Sequence, residues 1–220
     1  MPGPHAPDRR LHRRHARSDD RLRRDGDAVR GRGVGGRAGG LAAVRETHIL
    51  IVRHPETEAN VNGRLVGRGA SPYTDEGRDQ LRRIPHAVRE FGPDEVWTSP
   101  LERAYVLGAA AAEHSDCPLK VDDRLVEIDF GLAEGLTFEE IAAQGMRVEY
   151  RNADAPVAPE GESRGDVERR AGEVVETLAE RSGRFAVVTH GGVFRAMMVR
   201  ALGLCSPDIW AFHVRNGQLA

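Results

Sequence analysis

The chain has 220 residues, enough for one ordinary domain with a buried core, and 40% of them are hydrophobic. Basic and acidic side chains nearly balance, at a net charge of −2. No run of residues approaches the roughly 20 apolar positions that a membrane-spanning helix needs, which argues against a membrane protein. Two cysteines, Cys117 and Cys205, do not make a disulfide framework and predict a reducing, cytoplasmic location.

The balanced net charge hides a basic N-terminal segment. Residues 1–46 contain 12 arginines against six acidic residues and show almost no apolar periodicity. Such a segment cannot bury enough apolar surface to offset chain entropy, so we predict a disordered Arg/Gly-rich tail. The alternatives are an RNA-binding arm, an organellar presequence, a dinucleotide loop at residues 31–36, or a metal site at His12 and His15.

Residues 47–220 read as one domain. In its first half a continuous apolar strand, "THILIVRH", is followed by a helix over Thr74–Phe91 with a threonine cap, which Pro85 should bend or interrupt. Next come a strand, "DEVWTS", an Ala-rich helix, "LERAYVLGAAAAEH", and an extended segment, "LKVDDRLVEI".

The second half repeats this alternation. It contains a short capped helix, "TFEEIAAQ", a loop at Asn152–Gly165, an amphipathic helix ending at Gly183, a strand, "RFAVVTH", and a final helix, "GGVFRAMMVRALG". Alternating strands and helices predict a three-layer α/β/α sandwich with a mainly parallel central sheet.

Two of the strongest strands end in histidine, at His54 and His190, and Arg53 precedes the first. Ligands bind beyond the carboxyl ends of strands in open α/β sheets, so both imidazoles should face one crevice. Gly191 follows His190 at a helix start, where free N–H groups attract an anion. Arg103 lies on the first turn of a helix after another strand. Together these residues indicate a phosphate site.

The segment "RHPETEAN" resembles the RHGxTxxN signature of the histidine phosphatase superfamily, also called phosphoglycerate-mutase-like. Five further blocks follow in family order: "GRLVGRGASPYTDEGRDQ", "SPLERA", "VEIDFGLAEG", "EGES" and "VTHGGVFRAM". Six ordered blocks over about residues 48–213 are far more specific than one motif. The resemblance implies the phosphoglycerate-mutase-like fold and a phosphomonoesterase of the histidine acid type.

The resemblance also implies the chemistry. His54 would be the nucleophile that forms a phosphohistidine, and Glu127 the general acid and then base. The residues that would hold the phosphoryl oxygens are Arg53, Asn60, Arg103, His190 and Gly191, with Thr57 as a further contact or a turn residue. The expected partner is a small phosphorylated metabolite. No metal or organic cofactor, no membrane and no nucleic acid beyond the tail is expected, and a homodimer is left open.

Three positions depart from the family pattern. Pro55 replaces a glycine after the nucleophile and removes one N–H group. Ala133 and Leu107 replace a frequent tryptophan and threonine, which predicts a more open or more apolar pocket rim.

Three other functions stay open at this level. One is a phosphoglycerate mutase of the same family, although the interval between Glu127 and His190 leaves little room for the extra segment of mutases. Another is a non-catalytic phospholigand-binding or RNA-binding protein. The third is a metallohydrolase with His54, His190 and Glu127 as ligands, which the neighbouring arginines oppose.

Overall fold

The computed structural model describes residues 46–220, so the predicted tail over residues 1–46 lies outside the described residues except at Glu46. The described strands are β1 (Thr47–Arg53), β2 (Glu95–Thr98), β3 (Leu119–Val121) and β4 (Gly183–Thr189). They form one parallel sheet in the order β1-β4-β2-β3.

Helices connect the strands. Those within the described residues are α1 (Glu58–Val61), α2 (Asp75–Phe91), α3 (Glu102–Ser115), α4 (Phe138–Ala143), α5 (Arg164–Ala179) and α6 (Gly191–Ala201), with 3₁₀ turns at Asp123–Leu125, Gly131–Ala133 and Ser206–Ala211. None of the helices in this part of the chain is long and apolar enough to cross a bilayer.

The central strand β4 shows why the domain has three layers. Its side chains alternate between the two faces of the sheet because a strand repeats every two residues. Phe185 and Val187 pack in one core with residues of α5 and α6, whereas Ala186 and Val188 pack in the other with residues of α2 and α3. Helices therefore cover both faces, and the predicted α/β/α sandwich is confirmed.

Helix α2 runs unbroken through Pro85, so the predicted interruption is wrong. Its Thr74 cap is confirmed, since the Thr74 hydroxyl accepts a hydrogen bond from the N–H of Gly77 at 3.0 Å. Proline costs a helix one hydrogen bond, but tertiary packing of an apolar face outweighs local propensity. Pro85 is buried beside Ile84 and Val88 on that packed face.

The other predicted elements are present with shifted boundaries. The extended segment after α3 forms a strand of only three residues, β3, before the chain turns into a 3₁₀ helix at Asp123. Helix α5 begins at Arg164, where the Ser163 hydroxyl caps the Asp166 N–H, and ends at Ala179 rather than at Gly183. Gly183 instead opens β4 with a φ of 142°.

Residues 218–220 lie antiparallel to β1. The N–H of Arg53 donates to the carbonyl of Gln218 at 2.9 Å, and the N–H of Ile51 donates to the carbonyl of Ala220 at 2.7 Å. This pairing brings Asn216 and Gly217 to the carboxyl end of β1, where the N–H of Gly217 donates to the carbonyl of His54 at 3.2 Å.

The close packing of α3 on β2 is testable at Gly108, where an added Cβ would lie 2.6 Å from the Cβ of Thr98. A Gly→Ala change inside a helix normally stabilises by roughly 0.5–1 kcal/mol, but we expect Gly108→Ala to destabilise by about 1–3 kcal/mol through overpacking. Gly172→Ala is the matched control, since its Cβ would come no nearer than 3.4 Å, to the flexible Arg200 side chain. Urea unfolding of both variants measures the difference; equal effects would contradict the packing argument.

Candidate active site

The register of β1 and β4 places the two predicted histidines side by side. Arg53 is the partner of Thr189 in the parallel ladder, so His54 and His190 are the next residues of adjacent strands. The N–H of His54 donates to the carbonyl of Thr189 at 2.8 Å, and the two imidazole centroids lie 5.1 Å apart. Both side chains are buried. The expected convergence at the carboxyl edge of the sheet is therefore present.

A cavity of about 240 Å³ opens at this edge. Five of the predicted site residues line it: Arg53, His54, Asn60, Glu127 and Gly191. The three others lie outside this lining: His190 packs against the His54 ring, Thr57 is buried next to Asn60, and Arg103 is buried behind the loop at residues 66–69.

A backbone carbonyl orients the His54 ring. Its Nδ1 lies 2.7 Å from the carbonyl oxygen of Pro55. A carbonyl only accepts hydrogen bonds, so Nδ1 carries the proton, and the lone pair of the neutral ring is on Nε2. The contact uses the Pro55 carbonyl and not an N–H, so proline at this position keeps the contact that orients the ring.

Both histidines are held neutral. Burial lowers the pKa of His54 well below its usual value, and the positive charges of Arg103 and Arg53 lower it further. Burial also lowers the pKa of His190, with the same arginines and His54 adding to the effect. A neutral imidazole has a lone pair available for attack, which an imidazolium lacks.

Two buried nitrogen atoms at this edge have no partner among the described residues. Arg53 anchors its Nη1 on the carbonyl of Val214 at 2.7 Å, but its Nε has no hydrogen-bond partner. The Nδ1 of His190 is also unpartnered. Buried polar atoms are normally paired, so these two nitrogens indicate a site for a hydrogen-bonding ligand that residues 46–220 do not supply.

Glu127 lies between the cavity and the start of α6. Its carboxylate accepts hydrogen bonds from the N–H groups of Ile128 at 3.0 Å and Gly192 at 3.2 Å. An added Cβ on Gly192 would lie 2.5 Å from the Glu127 carboxylate, so only glycine allows this approach. Burial lowers the pKa of Arg53, and the negative charge of Glu127 counteracts part of this effect. A carboxylate is thus held within the cationic cluster.

The amide of Asn60 has a defined orientation. Its Oδ1 accepts hydrogen bonds from the Thr57 N–H at 3.1 Å, the Thr57 hydroxyl at 2.9 Å and the Asn216 amide at 3.0 Å. Three donors on one oxygen place the NH₂ group on the other side of the side chain, at the cavity that Asn60 lines. Thr57 therefore contacts Asn60, and Asn60 is the donor at the cavity.

Arg103 holds the loop that forms one wall of the cavity. Its guanidinium donates to the carbonyls of Gly69 at 2.9 Å and Gly67 at 2.8 Å. On the other side of the loop, the Glu134 carboxylate accepts from the N–H groups of the same two glycines at 3.0 and 2.8 Å. Arg103 thus adds positive charge near His54 while its donors bond the loop.

Four residues with no role assigned from the sequence contribute to the site: Ser99, Tyr150, Arg195 and Asn216. Arg195 lines the cavity and donates to the carbonyl of Gly191 at 3.0 Å, one helical turn earlier. The sequence signal for Arg195 was its place in "VTHGGVFRAM", four residues after Gly191, because positions four apart share a helix face. Tyr150 and Asn216 lie far from any block in sequence, and no pattern indicated them.

The expected effect of Ala133 and Leu107 on the pocket rim is wrong. Both side chains are fully buried, Ala133 in the core of α5 and α6 and Leu107 in the core of α2 and α3, and neither lines the cavity. Local sequence could not separate rim from core because both positions adjoin motif residues.

The fold and the site define a three-layer α/β protein with two buried imidazoles, a guanidinium and a carboxylate at one sheet edge. The sequence model of the histidine phosphatase superfamily (branch 1) matches residues 49–220. The chain belongs to this family.

Relatives within the family include phosphatases of small metabolites. The chain is 34% identical to a glucosyl-3-phosphoglycerate phosphatase of Mycolicibacterium vanbaalenii, over 73% of this chain and 76% of the relative. It is 28% identical to phosphoserine phosphatase 1 of Hydrogenobacter thermophilus, over 76% and 82%. A solved mycobacterial glucosyl-3-phosphoglycerate phosphatase with VO₃ superimposes with a TM-score of 0.71 at 26% identity, covering 79% of this chain and 90% of the other.

The lowered pKa values of His54 and His190 predict a pH-dependent stability. Below pH of about 6.5 the unfolded chain binds protons at both histidines while the folded chain does not. The free energy of unfolding should therefore fall with decreasing pH in this range, by up to about 1.4 kcal/mol per pH unit for each histidine. Urea unfolding at pH 5–8 tests this against His190→Gln, whose curve should be flatter; parallel curves would contradict it.

Proposed function

We propose that the protein is a phosphatase that hydrolyses small phosphate monoesters through a phosphohistidine on His54. The observation that carries this proposal is the pair of buried imidazoles at one sheet edge, together with two buried nitrogens, Arg53 Nε and His190 Nδ1, that have no partner among the described residues. A phosphoryl group has three oxygens that accept such bonds, and its negative charge offsets the buried guanidinium. Family membership and the named activities of the relatives support the same function.

In the first step the Nε2 lone pair of His54 attacks phosphorus. The Glu127 carboxylate first takes the proton of the bound phosphate monoanion. The P–N bond forms as the P–O bond to the ester breaks, and Glu127 passes that proton to the departing oxygen. In the second step Glu127 removes a proton from water, which attacks phosphorus and breaks the P–N bond. Inorganic phosphate leaves with the proton that Glu127 took from water, and Glu127 and His54 return to their starting forms. These steps use no metal or organic cofactor.

The remaining polar groups stabilise the transferred phosphoryl group. Arg53 and His190 donate to its oxygens, and the NH₂ of Asn60 faces the same cavity. The N–H of Gly191 at the start of α6 adds a backbone donor and the positive end of a helix dipole. Arg103 supplies positive charge and keeps the loop at residues 66–69 in place.

We also propose that the substrate is a small phosphorylated metabolite and that the enzyme acts in the cytoplasm. Outside the reactive residues, the cavity wall combines apolar side chains such as Leu65, Val66 and Phe130 with the cationic side chains of Arg64, Arg164 and Arg195. Such a wall suits a short organic group bearing a polar end. The two cysteines of the chain do not make a disulfide framework, in keeping with a reducing compartment.

The nucleophile is tested by His54→Ala. Hydrolysis of p-nitrophenyl phosphate should fall by roughly three orders of magnitude or more, because no other group offers a lone pair at the same point. Circular dichroism should show retained folding. The control is His86→Ala, which changes an exposed histidine of α2 away from the cavity and should keep parental turnover.

Rapid quenching with a ³²P-labelled substrate should also trap an acid-labile, base-stable phosphoprotein in the parent and none in His54→Ala. Parental rates of phosphate release by the variant would disprove the assignment of the nucleophile.

The acid is tested by Glu127→Gln. An alkyl phosphate needs a proton on its leaving oxygen, whereas p-nitrophenolate departs without one. We expect release of the alcohol from an alkyl phosphate to slow by roughly 100-fold or more, and the burst of p-nitrophenol to be much less affected. Glu113→Gln, an exposed carboxylate of α3, is the control. Equal losses on both substrates would show that Glu127 has another role.

A further inference from the structure

Ser99 is a buried polar residue to which the proposed steps give no role. It follows β2 at the same edge of the sheet as the two histidines, and its N–H donates to the carbonyl of Val188 at 3.1 Å. Its side chain is wholly buried, and its Oγ lies 2.8 Å from Nε2 of His190. Ser99 does not line the cavity, so any effect on the reaction must act through His190.

The hydrogen bonds of the Ser99 hydroxyl determine which atom carries the proton in this contact. A hydroxyl has one proton to donate and two lone pairs. The N–H of Leu101 donates to the Ser99 Oγ at 3.2 Å and occupies one lone pair. Of the hydrogen bonds within residues 46–220, the contact with Nε2 of His190 is the one that offers the hydroxyl proton an acceptor.

The opposite arrangement would leave two buried groups unpaired. If Nε2 carried the proton and donated to Ser99, the hydroxyl proton would have no acceptor among the described residues. The bare lone pair of Nδ1, which also has no partner there, would then remain at the active site. The third form, a His190 ring protonated on both nitrogens, is disfavoured because burial and the neighbouring arginines lower the pKa of His190.

We propose that Ser99 is a positioning residue that holds His190 in the tautomer with its proton on Nδ1, as a donor to the transferred phosphoryl group. The inference rests on the proposed function for the identity of that acceptor. The Nδ1–H tautomer offers a donor to an oxygen that gains negative charge, whereas the other tautomer would direct a lone pair at the same oxygen. Ser99 thus bonds the second ring nitrogen of a functional histidine and fixes its tautomer and orientation, as such neighbouring residues commonly do.

The tautomer is measured directly by ¹⁵N NMR of the histidine rings in the full chain, free and with orthovanadate as a phosphoryl mimic. His190 signals are assigned by their loss in His190→Gln. We expect the His190 Nδ1 to resonate as a protonated nitrogen and Nε2 as an unprotonated one, in both samples. The reverse pattern, or two averaged signals, in the parent protein would overturn the inference whatever the variants do.

Ser99→Ala gives a second readout. Its His190 signals should move toward the other tautomer or an average of both, and kcat should fall with the population of the Nδ1–H tautomer, by about twofold at equal populations and by roughly tenfold where the other tautomer dominates, because only molecules with Nδ1–H donate to the charged group. The control is Thr98→Val, which removes a buried hydroxyl of the preceding residue that contacts the Ser99 carbonyl at 3.2 Å and not His190. It should leave both the tautomer and kcat close to parental values.

The two proposals fail separately. A protein with the Nδ1–H tautomer in its free form but without phosphatase activity would contradict the proposed function alone. An active phosphatase whose His190 carries its proton on Nε2 would contradict the role of Ser99 alone. A Ser99→Ala variant with an unchanged tautomer and unchanged kcat would also overturn it.

Discussion

The main physical constraint on this structure is that arginine and histidine side chains are buried away from water at the carboxyl ends of β1 and β4. Arg53, His54 and His190 lie together because Arg53 pairs with Thr189 in the parallel ladder, and the next residue of each strand is a histidine. Burial penalises every charged form in this cluster. The imidazoles therefore stay neutral. The guanidinium of Arg53 keeps its charge beside the Glu127 carboxylate, which opposes part of the lowering of the Arg53 pKa by burial.

Four of the polar groups of the site share one mode of support. Each is anchored to the protein through one atom, and another atom remains for a ligand. His54 is anchored by the Pro55 carbonyl, Arg53 by the Val214 carbonyl and His190 by Ser99. Asn60 is anchored through its oxygen by the Thr57 backbone and hydroxyl. A site built this way is oriented before substrate arrives, so little reorganisation is needed during the reaction.

The walls of the cavity come from segments with a different kind of support. The loop at residues 66–69 has its N–H groups on Glu134 and its carbonyls on Arg103, so it owes its position to side chains rather than to a strand or helix. Val66 of this loop and the preceding Leu65 form part of the apolar lining. The reactive edge thus rests on the sheet, whereas this part of the cavity wall rests on a loop, the kind of segment in which members of a shared fold diverge.

The sequence by itself determined the layered α/β fold and the identity of the reactive edge. Apolar runs ending in Arg53, His54 and His190 are local features, and parallel strands of a sheet necessarily end together. Only the tertiary structure decided the contacts between distant segments, such as Asn216 on Asn60, Ser99 on His190 and Arg103 on the loop carbonyls. Those contacts depend on register and on side-chain direction across more than 30 residues, which no local pattern encodes. Continuity of α2 through Pro85 was likewise decided by burial, because packing of a whole helix face exceeds the cost of one lost hydrogen bond.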